Sequence, residues 1–201
     1  MHSIWQTLAL LGDSRVLLPL ATMLIGAGLW QRQAWASRWC MGLIAVGLTT
    51  LATKVAFLGW GVGIARLDFT GFSGHAAMSA VAWPVVLSLA ARRRDAGPLG
   101  FATGLLLAAA IAYSRLPLNA HSGSEVAGGW LIGALASLWI AKALHHAPRG
   151  LSVWMMSLAL AAGICLPLSF PRIHTHEIVV QLAKALSGSA KEFDRSVFRR
   201  P

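Results

Sequence analysis

The chain has 201 residues, of which 56% are hydrophobic and only 12% charged, and its mean hydropathy is +0.63. Such values exclude an ordinary soluble domain, and the length allows a single domain, 1–201. The net charge of +10 would suit nucleic acid, but the basic residues lie in short loops between apolar runs and in the tail. Membrane topology accounts for them there, and no nucleic-acid partner is expected.

Taken in chain order, the opening stretch from Met1 to Arg15 has no basic n-region and is broken by Gly12 and Asp13. A cleaved signal peptide is therefore not expected, and the first spanning helix directs insertion itself. Apolar runs follow at Val16–Trp30, Trp39–Trp60, His75–Ala91, Pro98–Tyr113, Val126–Leu144 and Leu151–Phe170. Each is near the roughly 20 residues a helix needs to cross a hydrocarbon core of about 30 Å. In lipid only helices or closed barrels satisfy the backbone, and period-two alternation is absent. The pattern predicts an all-α, polytopic membrane helical bundle of about six transmembrane helices. The first run is short and contains Pro19, so it is expected to borrow length from Gln31–Ala36 or to sit where the bilayer thins.

An even number of spans places both termini on one side, together with the second and fourth loops, where Arg66, His75, Arg115 and His121 sit. Loops one, three and five carry Arg32, Arg38, Arg92, Arg93, Arg94, Lys142 and Arg149 against a single acid, Asp95. The positive-inside rule makes these loops cytoplasmic. The histidine loops then face outward, which in a bacterial inner membrane is the periplasm.

The tail, 171–201, holds Arg172, Lys184, Lys191, Arg195, Arg199 and Arg200 on that outer side. Its apolar residues Ile178, Val179, Leu182, Leu186, Phe193 and Val197 recur at roughly helical spacing, which reads as an interfacial amphipathic segment and not a seventh span. Trp30, Trp39, Trp60 and Trp154, near the ends of runs, suit anchoring at the membrane interfaces. Gly128, Gly129 and Gly133, with Gly42 and Gly47, are expected to let helices pack closely. Cys40 and Cys165 lie inside apolar runs without metal-site or disulfide spacing and read as small core residues. His145-His146 and His174-Thr175-His176 are expected at the surface or against headgroups, since two histidines with only Glu177 beside them make a poor metal site.

Membrane packing does not explain two polar segments, Phe72-Ser73-Gly74-His75 at the start of the third span and Ser114-Arg115-x5-His121-x3-Glu125 at the fifth. Together they resemble the type 2 phosphatidic acid phosphatase superfamily, which also includes vanadium haloperoxidases and bacterial glucose-6-phosphatase-like enzymes. The second part of its signature, usually Pro-Ser-Gly-His, is matched here with Phe72 in place of proline. The third, Ser-Arg-x5-His-x3-Asp, is matched with Glu125 in place of aspartate. The first, Lys-x6-Arg-Pro, is degenerate: Lys54 is present, Gly61 stands at the arginine position, and the nearest arginine, Arg66, comes five residues later. The resemblance runs from about Lys54 to Glu125 and points to the membrane lipid-phosphatase branch, whose members work without metal. No cofactor or metal is therefore expected.

The physical chemistry of the residues agrees. Ser73 and Gly74 precede an apolar helix whose N-terminus can bind phosphate oxygens. Arg115 offers a planar fork suited to phosphate. Lys54 is an intramembrane cation within snorkelling reach of the surface. His121 and Glu125 are four apart, so on one helix face the carboxylate can hold one imidazole N–H.

The resemblance implies that His121 attacks phosphorus while His75 protonates the departing oxygen. Ser73, Gly74, Lys54 and Arg115, with Arg66 as a further candidate, would bind the phosphate. The substrate implied is a lipid phosphate or diphosphate: undecaprenyl diphosphate, phosphatidic acid or phosphatidylglycerol phosphate. Lipid-to-lipid phosphotransfer and non-enzymatic transport are the alternative readings. Asp68, between Arg66 and Ser73, is a candidate for orienting a basic residue.

Overall fold

In the computed structural model, residues 2–92, 96–144, 152–169, 175–189 and 191–199 are described. Arg93, Arg94, Asp95, His145, His146, Arg149, Arg172, His174 and Arg200 lie outside them. Eight α-helices appear among these residues: α1 (His2–Leu11), α2 (Ser14–Trp30), α3 (Ala34–Trp60), α4 (Gly74–Ala91), α5 (Gly97–Ser114), α6 (Gly123–Leu144), α7 (Val153–Ser169) and α8 (Thr175–Ser187). Two 3-10 turns, Ala65–Leu67 and Arg195–Arg199, accompany them, and among the described residues the strand-like pairing is an isolated bridge between Ile64 and Phe69. The protein is an all-α membrane bundle.

Among the described residues, five segments are long and apolar enough to cross a membrane: Ile4–Trp30, Ala34–Trp60, Gly74–Ala91, Gly97–Ser114 and Gly123–Leu144. Helix α7 is shorter, with its apolar stretch at Trp154–Gly163. The first span differs from expectation. It gains length from α1, on its N-terminal side, and not from Gln31–Ala36, where the chain turns into α3. The break at Gly12 and Asp13 divides the span, and Asp13 caps α2 by accepting the Arg15 N–H. Short polar side chains favour this cap position because they satisfy an otherwise orphaned amide.

Helix α4 lies at the centre. It is apolar all round, and twelve of its residues are buried, the pattern expected of a helix enclosed on every side. It packs against α5, α6, α3 and α2. Small residues set the closeness of these contacts. A β-carbon at Gly104 would stand 2.5 Å from Pro84 Cα, and one at Gly129 would stand 2.7 Å from Ser73 O. The Gly100-x3-Gly104 pair brings α5 onto α4, while Gly129 and Gly133 bring α6 onto its other side; such close backbone approach is how helices associate in lipid. Gly47 has nothing within 4 Å and takes no part in packing.

Trp39 is fully buried and donates its indole N–H to Val81 O at 3.1 Å. It belongs to the core and is not an interface anchor, because its position on α3 faces α4 instead of lipid. Trp30, Trp60 and Trp154 are exposed, as anchors require. Cys40 packs partly buried against the core, whereas Cys165 is exposed on α7 and so is not a core residue. Helix α8 lies along α3 with Ala183 buried, while Ile178, Leu182 and Leu186 form an exposed apolar stripe. This amphipathic form suits a helix lying in the interface.

Candidate active site

The start of α4 and the start of α6 meet at one end of the bundle. Ser122 and Glu125 begin α6 as a reciprocal cap: Ser122 Oγ accepts from Glu125 N at 3.4 Å, and Glu125 Oε2 accepts from Ser122 N at 3.2 Å. The Ser-x-x-Glu spacing is a helix-start signal with this mechanism. The same carboxylate oxygen lies 2.7 Å from His121 Nδ1. His121 is nearly buried and Glu125 wholly so. An acceptor at that distance places the imidazole proton on Nδ1 and leaves Nε2 with a lone pair.

Glu125 also ties the second loop to α6. Its Oε1 accepts from Thr70 N at 2.8 Å and from Thr70 Oγ1 at 2.5 Å, and its backbone carbonyl accepts from Ser73 N at 3.1 Å. Phe72, standing where the family signature carries proline, packs its ring against Gly128 and edge-on to Phe69 at 5.1 Å. Its N–H donates to Thr53 Oγ1 at 3.2 Å. An aromatic ring thus fixes the approach to Ser73 that a proline would otherwise stiffen. Gly71, with φ at 129°, lies against the Lys54 backbone, so the loop is pressed onto α3 at the lysine.

Ser73 is fully buried and caps α4, its Oγ accepting from Ala76 N at 3.5 Å. The first amides of the helix, those of Gly74 and His75, have no intrahelical partner. Open space lies where a β-carbon at Gly74 would project, with nothing within 4 Å. That is room for an anion at a helix N-terminus.

Lys54, Arg115 and His121 lie close enough to His75 to act on it electrostatically, and Lys54, Arg115 and Glu125 act likewise on His121. Burial pushes the His121 imidazole below its ordinary value, against the Glu125 hydrogen bond, which pulls it up. Burial thus disfavours the charged form of the ring. Arg115 Nε is buried and has no hydrogen-bond partner among the described residues, leaving a donor available to an incoming phosphate oxygen. The structure therefore gathers His75, His121, Glu125, Lys54, Ser73, Gly74 and Arg115. Arg66 is different: it lies exposed on the 3-10 turn Ala65–Leu67, with no hydrogen bond or ion pair to these residues.

Two contributors escaped sequence reasoning. Gly12, at the break between α1 and α2, lies against the His75 ring, and Asp13 beside it acts electrostatically on His75 and Arg115. An acid inside an apolar run was the available signal. The second is Arg195 of the tail, whose Nη2 donates to Glu125 Oε2 at 2.6 Å and whose Nη1 donates to Asp68 Oδ2 at 2.8 Å. Asp68 thus orients a basic residue, as its position suggested, but one from 127 residues away. No local pattern announces that contact. Among the described residues, no group of three or more His, Cys, Asp or Glu could hold a metal ion.

The model of the PAP2 superfamily matches residues 66–149, a stretch that contains the Ser-Gly-His and Ser-Arg-x5-His segments but begins after Lys54. The chain is also 37% identical over 200 residues to an "Uncharacterized 22.5 kDa protein in cps region" of Klebsiella pneumoniae, covering 96% of each chain. The chain belongs to the PAP2 superfamily. No solved structure matches it. Membership assigns this PAP2 protein a phosphatase-type activity on phosphoesters, and its apolar helices make it an integral membrane protein.

Proposed function

We propose that this PAP2 protein is a lipid phosphatase of the membrane branch, hydrolysing a phosphomonoester or diphosphate lipid through a phosphohistidine and without metal. The observation that carries this reading is the His121–Glu125 pair. A carboxylate holds Nδ1 at 2.7 Å, which leaves Nε2 as the nucleophile; Lys54 and Arg115 lie near enough to act on the ring, and the helix start at Gly74 has open space beside it.

In the first step His121 Nε2 forms a bond to phosphorus as the bond to the departing lipid oxygen breaks, and His75 gives that oxygen its proton. Lys54, Arg115 and the Gly74 N–H stabilise charge on the equatorial oxygens. Water then attacks the phosphohistidine, His75 takes its proton, and phosphate leaves with His121 restored. From a diphosphate lipid the first leaving group is the lipid monophosphate.

The lipid tail stays in the bilayer while its headgroup enters from the end where both loops and the tail meet. Basic loops on the opposite side support an outward, periplasmic orientation in a bacterial inner membrane. Substrates of fitting chemistry are undecaprenyl diphosphate, phosphatidic acid and phosphatidylglycerol phosphate.

The test is phosphate release from these three lipids by the purified full chain in detergent containing EDTA. Release from at least one, abolished in His121→Ala, is expected. Label passing into a second lipid instead of inorganic phosphate would assign phosphotransfer. No turnover of any lipid by folded protein would overturn the enzymatic reading.

A further inference from the structure

The C-terminal segment after α8 crosses back over the site. Phe193 N donates to Leu58 O at 2.9 Å, near the end of α3, and the Phe193 ring lies 3.0 Å from where a β-carbon on Gly61 would stand. Phe198 packs at a tilt against Phe57, ring centroids 5.5 Å apart, and fills the space beside Gly63. Lys184 of α8 pairs with Glu192, fixing the segment's exit from the helix. Gly61 has a left-handed φ of 68°, so a side chain there would strain the backbone, and it would also press on the Phe193 ring, which would have to give by a few tenths of an ångström. A glycine at 61 and a docked strap therefore belong together.

Between these two aromatic contacts the strap delivers Arg195. Its guanidinium bridges Asp68 of the second loop and Glu125 of α6, at 2.8 Å and 2.6 Å, and its Nη2 also reaches Thr70 Oγ1 at 3.5 Å. Arg195 and His121 bind the same carboxylate oxygen, Oε2. Glu125 is wholly buried, and a buried carboxylate needs a counter-charge as well as hydrogen bonds. The planar fork of arginine presents a separate nitrogen to each carboxylate, Nη1 to Asp68 and Nη2 to Glu125, whereas a lysine would have to reach both from a single nitrogen.

We propose that Arg195 is a positioning residue of this PAP2 site, the C-terminal strap supplying the cation that holds Glu125 in place and tempers its pull on the His121 imidazole. The proposal rests on the phosphohistidine reading only for its effect on turnover. Its electrostatic effect is a property of the folded chain. His121 sits among Lys54 of α3, His75 of α4, Arg115 at the end of α5 and Glu125 of α6, with Asp13 of the α1–α2 break acting in turn on His75 and Arg115. Removing Arg195 takes away the positive charge that offsets the Glu125 carboxylate, so the imidazole gains affinity for its proton.

The experiment follows the ring nitrogens of His121 by NMR titration in the full chain in detergent, alongside lipid-phosphate turnover. Arg195→Ala is expected to raise the His121 titration by about one pH unit. It should also lower kcat roughly 10- to 100-fold, with KM within about threefold. Arg195→Lys, which keeps the charge but not the fork, should show less than half of the titration shift. An unchanged His121 titration in Arg195→Ala, or a gain in turnover, would overturn the proposal. So would an equal shift in Arg195→Lys, which would assign the effect to strap packing. A parent protein that turns over no lipid would defeat the phosphatase reading while leaving the titration a full test of Arg195.

Discussion

His121 Nδ1 and Glu125 Oε2 stand 2.7 Å apart across the first turn of α6. The same side chain reaches back to Ser122 N and out to Thr70. Glutamate has the length to do all three from a residue inside the helix. Shortening it to aspartate withdraws the carboxylate by about 1.5 Å, so Glu125→Asp is expected to lose the imidazole contact even though aspartate is the residue of the family signature. Turnover should fall roughly 10- to 100-fold at saturating lipid, with KM little changed. Phosphate release by the folded variant measures this, and parental turnover would remove the orienting role from Glu125.

The pH dependence follows from the environment of His121. Burial holds its imidazole below the ordinary value, with the Glu125 hydrogen bond opposing. A nucleophile must be unprotonated, so kcat/KM should rise with pH through a limb lying below the ordinary histidine value of about 6.5 and stay level above it until a second group titrates. Glu125→Gln removes the interaction that raises the His121 value. Its acid limb should therefore move further down, with a lower plateau. A limb moving upward in that variant would contradict the assignment.

Two basic residues with similar claims in the sequence are separated by their surroundings. Lys54 lies beside Gly71 and acts electrostatically with Arg115 and Glu125, whereas Arg66 is exposed on the 3-10 turn. Lys54→Ala is expected to lower kcat by roughly 100-fold through lost charge stabilisation. Arg66→Ala should change it by less than about twofold. Steady-state kinetics on the same lipid decide between them, and a large loss at Arg66 would bring that residue into the phosphate site.

The helices and the two histidine segments were legible because both signals are local: apolar runs of spanning length, and polar residues at fixed short spacings beside them. The first span was misjudged because Asp13 interrupts its hydropathy without ending the crossing, and α1 supplies the missing length before the break. Trp39 misled for a related reason. Position along a helix separates interface from interior, but which face meets α4 is decided by packing, and Trp39 turns inward to bond Val81 O. Arg195 was invisible because its partners Asp68 and Glu125 lie 127 and 70 positions away. Only the folded strap brings them together.

The contact between α4 and α6 gives a prediction that separates glycines alike in sequence but not in surroundings. A β-carbon at Gly129 would stand 2.7 Å from Ser73 O, while one at Gly47 would meet nothing within 4 Å. Gly129→Ala must push α6 away from the helix start that carries Ser73, Gly74 and His75, at a cost of about 1–3 kcal/mol. Because Glu125 lies one turn earlier on α6 and bonds Ser73 N through its own carbonyl, the displacement should reach the catalytic pair as well. Thermal unfolding in detergent should show a lowered Tm for Gly129→Ala, with turnover falling in the same variant. Gly47→Ala, which meets no neighbour and removes a flexible residue from a helix interior, should leave Tm unchanged or slightly raised. Equal effects at the two positions would mean that the close approach of α6 to α4 does not hold the site together.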